Sequence, residues 1–183
     1  MNNPPPILLT GPTGFVGLPL ARALHQAGKK VRGLVRSTSD TAALEQAVPN
    51  IELAVGDLND PDSLLDALDG IEIVIHAAAL VSYQARDRDR MMLVNGEGTA
   101  NLVNMALEAG VRRFIHLSSV AALGRTDGGP ITTLADRWPR ERPNTRYAES
   151  KFAAEREVWR GQAEGLSVAV LNPSIILGPG DWS

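Results

Sequence analysis

Three glycines near the start of the chain place the tightest limits on its fold. Gly11, Gly14 and Gly17 recur at three-residue spacing. An apolar run at residues 7–9 precedes them, as in a buried parallel strand, and a helical apolar pattern follows over residues 15–26. Glycines let a backbone turn tightly and approach a phosphate, and a helix N-terminus supplies amide donors. This order predicts a phosphate-binding turn, although glycines used only for packing would show the same spacing.

Strand and helix patterns alternate along the rest of the chain. Apolar runs predict further strands at residues 31–35, 51–55, 71–75, 113–117 and 167–171. Helical patterns lie between them at about residues 42–47, 91–109 and 147–163. A further helix is predicted from a cap at Asn59 or Asp60 to Gly70. We expect an α/β fold, a doubly wound parallel sheet with the strand order 3-2-1-4-5-6, as one domain over residues 1–183.

Composition excludes several other classes. The chain has 183 residues, of which 44% are hydrophobic and 21% charged, with a net charge of −3. We therefore expect a globular protein without a nucleic-acid partner. No apolar run approaches the ~20 residues of a membrane span, no signal peptide is evident, and the absence of cysteine fits a cytoplasmic location. No metal site is expected, since His25, His76 and His116 lie on separate elements.

A tyrosine and a lysine are placed for acid–base chemistry. Tyr147 and Lys151 are four residues apart, so they share one face of the predicted helix. A lysine ammonium favours the phenolate form of a nearby tyrosine, whose ordinary pKa of about 10 is too high for catalysis near neutrality. Ser119 follows the fifth strand, where its hydroxyl would donate a hydrogen bond to a substrate oxygen. A solvated helix pair and a serine that only caps the strand are the alternatives.

Several motifs appear in the order seen in one enzyme family. The chain resembles the N-terminal part of an extended short-chain dehydrogenase/reductase of the NAD-dependent epimerase/dehydratase type, and is most similar to dihydroflavonol-4-reductase-like members. The matching stretches are residues 10–17, 56–58, 76–79, 95–99, 117–119, Tyr147 with Lys151, 172–174 and 178–180.

The resemblance implies a role for each matching residue. Tyr147 would be the general acid/base, Lys151 would tune it and bind a ribose, and Ser119 would bind the substrate oxygen. The remaining residues implied to surround a dinucleotide are Gly11, Thr13, Gly14, Phe15, Val16 and Gly17 at the pyrophosphate, Asp57 and Leu58 at the adenine, Ala77, Ala78 and Ala79 along the path to the nicotinamide, Asn95, and Pro173 and Ser174 at the nicotinamide.

The residue after the second strand bears on the choice of cofactor. An acidic residue there binds the ribose 2′-hydroxyl of NAD, whereas an arginine suits the 2′-phosphate of NADP. The chain has Arg36, and no acid follows before Asp40. We therefore expect NADP(H), with NAD as the alternative if Arg36 only stacks on the adenine.

The family resemblance leaves three functions open. An NADP(H)-dependent oxidoreductase acting on a small-molecule carbonyl or hydroxyl group is favoured. A nucleotide-sugar epimerase or dehydratase using NAD is the second, and a dinucleotide sensor or inactive fragment is the third. Family members continue past the Gly-Pro-Gly segment into a substrate subdomain that this sequence lacks, so we expect poor turnover from residues 1–183 alone.

Two further expectations concern substrate and partners. The stretch 124–144 has no clear period and holds Trp138 and Arg140, which are candidate substrate contacts, although surface packing is the default. In the family, helices such as those at 91–109 and 147–163 pair across a twofold axis, which implies a homodimer.

Overall fold

Six parallel strands form one sheet in the structure, a computed structural model that describes residues 6–82, 84–123 and 144–178. The sheet order is β3-β2-β1-β4-β5-β6, and every neighbouring pair is parallel, which confirms the predicted doubly wound order. The strands are β1 (Ile7–Thr10), β2 (Val31–Val35), β3 (Glu52–Val55), β4 (Ile73–His76), β5 (Arg113–Leu117) and β6 (Ser167–Leu171).

Helices connect the strands and cover the sheet. They are α1 (Gly17–Gln26), α2 (Ala42–Ala47), α3 (Pro61–Leu68), α4 (Arg88–Met91), α5 (Gly98–Glu108) and α6 (Arg146–Ala163). Shorter helical turns are a 3₁₀ turn at Ala85–Asp87, a π-helical turn at Met92–Glu97 and a second 3₁₀ turn at Val120–Leu123.

Alternate strand residues supply two apolar clusters, because successive side chains of a strand point to opposite faces. Leu8, Val74 and Phe114 belong to a cluster that also holds side chains of α3, α5 and α6. Ile7 and Leu9 belong to the other cluster, which is completed by α1 and α2. Both faces of the sheet are therefore covered, as the continuous apolar strands require.

Several element boundaries differ from the sequence prediction by one or more residues, and three of these differences matter most. α1 begins at Gly17, not at residue 15, because Gly14–Val16 stay in a turn closed by a bond from the Gly14 amide to the Gly11 carbonyl (3.1 Å). β4 begins at Ile73, not at residue 71, because the Ile71 amide bonds to Leu68 O and finishes α3. The helix predicted at 91–109 begins at Arg88 and is interrupted by the π-helical turn.

Side-chain caps fix the starts of two helices that reach the cleft edge. The Asp60 carboxylate accepts from the Ser63 amide at 3.5 Å, so Asp60 and not Asn59 caps α3. Thr145 accepts from the Ala148 amide at 3.1 Å, and α6 begins at Arg146. The proline-containing stretch 124–143, with Trp138 and Arg140, lies outside the described residues, as do residues 179–183.

Candidate functional site

A cleft of about 850 Å³ runs along the carboxyl ends of the strands, the edge at which ligands bind in doubly wound sheets. It brings together nearly all of the residues singled out from the sequence. Those that line it are Gly11, Thr13, Gly14, Phe15, Val16, Gly17, Arg36, Asp57, Leu58, Ala77, Ala78, Ala79, Ser119, Tyr147, Lys151, Pro173 and Ser174.

The glycine turn forms a cradle that side chains would fill. Gly11 has φ +66°, and a Cβ placed on it would lie 2.8 Å from the Ala78 Cα. A Cβ on Gly17 would lie 1.8 Å from the Gly11 carbonyl oxygen. Val16, at the N-cap of α1, makes no side-chain hydrogen bond to the first helical turn. Backbone amides beside a close-packed glycine turn suit a pyrophosphate, so these residues fit a dinucleotide.

Charged and polar groups mark the β2–β3 end of the cleft. Arg36 is exposed directly after β2, and its guanidinium has no hydrogen-bond or ion-pair partner within the described ranges. Ser39 lines the same wall and accepts a hydrogen bond from the Arg36 amide at 3.1 Å. Asp57 accepts from the Asn59 amide at 2.9 Å, which fixes the turn after β3. This end therefore offers an open cation and no acid directly after β2.

The three predicted catalytic side chains lie at the β5–α6 end. Lys151 is buried, and its ammonium donates to the Leu117 carbonyl oxygen at 2.8 Å. Tyr147 is half-buried one helical turn earlier. The Ser119 hydroxyl oxygen accepts from the Ala121 amide at 3.2 Å, and its hydrogen is left to donate elsewhere. A donor, a phenol and an ammonium thus line one wall of the cleft.

Burial changes the protonation of Lys151. Loss of water around the ammonium lowers the pKa of Lys151 to about 8, while the Glu155 carboxylate acts in the opposite direction. The group therefore remains mostly charged at neutral pH and titrates slightly above it.

His76 is a packed histidine at the end of β4. Its Nδ1 lies 2.7 Å from the Thr10 hydroxyl and its Nε2 lies 2.9 Å from the Thr99 hydroxyl. Thr99 donates its own hydrogen to the Asn95 carbonyl at 2.5 Å, so the histidine Nε2–H must donate to Thr99. Burial, and then the Lys151 charge, lower the pKa of His76 to about 3. His76 is a neutral internal bridge.

Asn95 does not line the cleft, unlike the other predicted cofactor residues. It is buried in the π-helical turn. Its Oδ1 accepts from the Leu80 amide at 2.7 Å, and its Nδ2 donates to the Leu80 carbonyl and the Ser150 hydroxyl, each at 2.9 Å. All of its side-chain groups are used by the protein, so it fixes the loop after β4 against α6 from behind.

Several cleft residues were not anticipated from the sequence. They have in common that they lie in loops or on a helix beside the predicted motifs, and they are Ser39, Leu80, Val81, Arg90, Val94, Ile175 and Ile176. Leu80, Val81 and Ile175 lie in loops that follow the carboxyl ends of β4 and β6, and this is the signal that would have identified them.

Two features are absent from the described part of the chain. Residues 6–82, 84–123 and 144–178 contain no group of His, Asp and Glu side chains arranged to hold a metal ion. Of the helices in the same ranges, none combines the length and the apolar composition needed to cross a membrane.

The chain matches the model of one protein family and is similar to several known proteins. The model of the NAD dependent epimerase/dehydratase family matches residues 7–182. Sterol demethylase protein B of Methylococcus capsulatus is 42% identical over 175 residues, covering 96% of this chain and 52% of that protein. A Synechocystis protein whose name relates it to dihydroflavonol 4-reductase is 38% identical over 173 residues, covering 94% of this chain and 50% of that protein.

A solved structure supports the same relationship. The crystal structure of a short-chain dehydrogenase/reductase superfamily protein from Agrobacterium tumefaciens, with bound NAD, is 35% identical. It matches with a TM-score of 0.74 over 91% of this chain and 48% of that one. The chain spans about half the length of the curated relatives it matches. From its glycine cradle, its strand order and these matches, the chain belongs to the NAD-dependent epimerase/dehydratase family.

Proposed function

We propose that this chain is the dinucleotide-binding part of an oxidoreductase that uses NADP(H) to interconvert a carbonyl and a hydroxyl group. The observation that carries the proposal is that Tyr147, Lys151 and Ser119 line the same cleft as the glycine cradle. A nicotinamide cofactor bound in this cleft supplies or accepts the hydride. The residues of the chain handle the proton and hold the substrate oxygen.

Each catalytic residue has one task. In reduction, the Tyr147 phenol gives its proton to the substrate oxygen, and in oxidation the phenolate takes it back. Ser119 donates a hydrogen bond to the same oxygen, since the Ala121 amide uses only a lone pair of the hydroxyl and leaves its hydrogen to donate. The Lys151 ammonium, held by Leu117, favours the phenolate form and so brings the two forms of Tyr147 closer in energy.

Preference for NADP(H) is supported by Arg36. Its guanidinium is exposed on the cleft wall and pairs with no described side chain, so it is free to meet a phosphate. Asp40, the first acid after β2 in the sequence, is not among the described residues that line the cleft. A 2′-phosphate thus gains a partner in Arg36, and no acid follows β2 directly.

The chain's own share of the substrate wall favours an apolar carbonyl compound over a nucleotide sugar. Val81, Ile175 and Ile176 line the cleft and are exposed, and Val94 belongs to the same lining. A nucleotide sugar would bury many hydroxyl groups against these side chains without partners, which is unfavourable.

The Tyr147→Phe variant tests the proposal. We expect NADPH binding to be retained and single-turnover oxidation of NADPH by an apolar ketone to fall by about 10²-fold or more, the usual loss of a general acid. Single turnover with protein in excess detects slow chemistry. Equal rates in the two proteins would contradict the proposed role, and a variant that no longer binds NADPH would show that the phenol acts in binding.

A homodimer remains a further proposal. α5 and α6 already pack closely within the chain, since a Cβ on Gly161 would lie 2.7 Å from Val103 Cγ1. Trp159 on α6 and Leu93 in the π-helical turn stay partly exposed at 38% and 43%. We expect light scattering to give twice the chain mass, and Trp159→Glu to reduce it to the monomer.

A further inference from the structure

A fully buried acid lies behind the catalytic wall. Glu155 is on α6, four residues after Lys151, so the two side chains lie on the same helix face. Glutamate is almost never fully buried unless it is paired. Its Oε2 has no hydrogen-bond partner among the described residues, and it forms no direct ion pair with Lys151. The sequence motifs gave this residue no role.

The other carboxylate oxygen of Glu155 connects α6 to the ends of two strands. Its Oε1 accepts a short hydrogen bond from Asn172 Nδ2, directly after β6. The same amide nitrogen donates to the Ser119 carbonyl oxygen at 3.1 Å. Both hydrogens of the Asn172 amide are therefore committed, one to the buried acid and one to the backbone of Ser119.

The backbone of Ser119 is further held by its neighbours. The Val120 amide donates to the Pro173 carbonyl at 3.0 Å, and the Ser118 amide donates to the Leu171 carbonyl at 2.8 Å. The Asn172 amide lies between these two bonds along the chain. Without Glu155, the Asn172 side chain would lose one of its two partners and could rotate. The Ser119 hydroxyl would then lose its fixed position.

Charge gives Glu155 a second effect, on Lys151. The titratable groups around Lys151 in the described ranges are Tyr147 and Glu155 on its own helix, and His116 and His76 on β5 and β4. Burial lowers the pKa of both histidines, so they are uncharged at neutral pH. The carboxylate of Glu155 is the described group that opposes the desolvation of the ammonium.

We propose that Glu155 is a positioning residue, which holds Ser119 through Asn172 and stabilises the Lys151 ammonium by charge attraction. A buried acid is destabilising compared with an apolar side chain of the same size. Its presence here is therefore explained by what it does to its neighbours. The meaning for catalysis rests on the proposed function, but the effect on Lys151 is a property of the chain itself.

Lysine titration measured by NMR tests the proposal without cofactor. The lysines of the sequence are Lys29, Lys30 and Lys151, so ¹³C-labelled lysine gives a simple spectrum in which Lys151→Met assigns the buried signal. In Glu155→Gln the amide oxygen still accepts from Asn172, while the negative charge is gone. We expect the Lys151 midpoint to fall by about one pH unit, as for loss of a nearby opposite charge, with the exposed Lys29 and Lys30 signals unmoved.

Two further variants separate positioning from charge. Asn172→Ala removes the link to Ser119, so the single-turnover rate should fall while the NADPH Kd stays unchanged. Glu155→Asp keeps the charge on a shorter side chain, so it should keep the midpoint and lose rate. If Glu155→Gln does not fold, Glu155→Asp still tests the charge effect. Because Glu155→Asp retains the negative charge, its Lys151 midpoint must then stay near the native value.

The outcomes are distinct. An unchanged Lys151 midpoint in Glu155→Gln, or one lowered in Glu155→Asp, would overturn the charge effect. An unchanged rate in Asn172→Ala would overturn the positioning of Ser119. If the native chain binds no dinucleotide but its Lys151 midpoint still falls in Glu155→Gln, the proposed function is wrong and the charge effect of Glu155 on Lys151 stands.

Discussion

The Lys151 ammonium donates to the carbonyl oxygen of Leu117 across 2.8 Å and so ties α6 to the end of β5. Ser119 follows that strand end, and Tyr147 lies one helical turn before Lys151. The bond therefore fixes the distance between the strand end that precedes Ser119, the proposed substrate donor, and the helix that carries the Tyr147 phenol. A lysine serves here because its long side chain reaches the strand from the helix and stays charged after burial.

Lys151 should make the stability of the chain depend on pH. Its pKa is lowered to about 8 by burial, whereas the unfolded side chain has its ordinary value of 10.5. Between these values the unfolded state binds more protons, so the free energy of unfolding should rise with pH, by up to about 3 kcal/mol. Urea denaturation at pH 7, 8.5 and 10 should show this gain in the native chain relative to Lys151→Met. A constant difference between the two proteins would contradict it.

His76 should make the fold sensitive to acid. The pKa of the folded group is about 3, against 6.5 in the unfolded chain, so protons bind to the unfolded state as the pH falls below 6.5. Stability that is present at pH 7 should fall by about 1.3 kcal/mol at pH 5.5 from this group. His76→Gln should reduce the loss between pH 7 and 5.5, and His25→Gln, at an exposed site, should not. The reverse pattern would remove His76 as the cause.

Arg36 should decide the choice between the two nicotinamide cofactors. Loss of a charged hydrogen bond to a phosphate weakens binding by about 1.5–3 kcal/mol, so Arg36→Ala should raise the Kd of NADPH by about tenfold or more. The Kd of NADH should change little, because NADH carries no 2′-phosphate. Arg22→Ala, on the exposed side of α1 and outside the cleft lining, is the matched control for loss of a positive charge. Tighter binding of NADH than of NADPH by the native chain would refute the preference.

The glycine cradle and the strand order were predictable because both depend on local patterns. Gly11, Gly14 and Gly17 lie within seven consecutive residues, and the turn they form is closed by bonds between near neighbours. Apolar runs mark the strands, and parallel strands joined by helices admit few orders. The same rule that ligands bind at carboxyl strand ends gathered Arg36, Asp57 and Ser119 at one edge.

The supporting polar groups were not predictable, because their partners are distant in sequence. Asn95 was assigned to the cofactor, but the π-helical turn places its amide against Leu80 and Ser150. No local sequence pattern predicts a π-helical turn at this position. Glu155 interrupts the apolar pattern of α6, and its partner Asn172 lies on another element. The signal available in the sequence was an acid four residues after Lys151, on the same face of the helix.

If a dinucleotide rests its pyrophosphate on the glycine cradle, as we propose, calorimetric titration with NADPH will measure that binding. Thr13 is exposed on the cradle wall, so Thr13→Glu places a negative charge beside the phosphates without disturbing the core, and Thr13→Gln is the neutral control of the same size. We expect one NADPH site per chain, retained in Thr13→Gln and lost in Thr13→Glu. Equal NADPH affinity in the two variants, or no binding by the native chain, would contradict it.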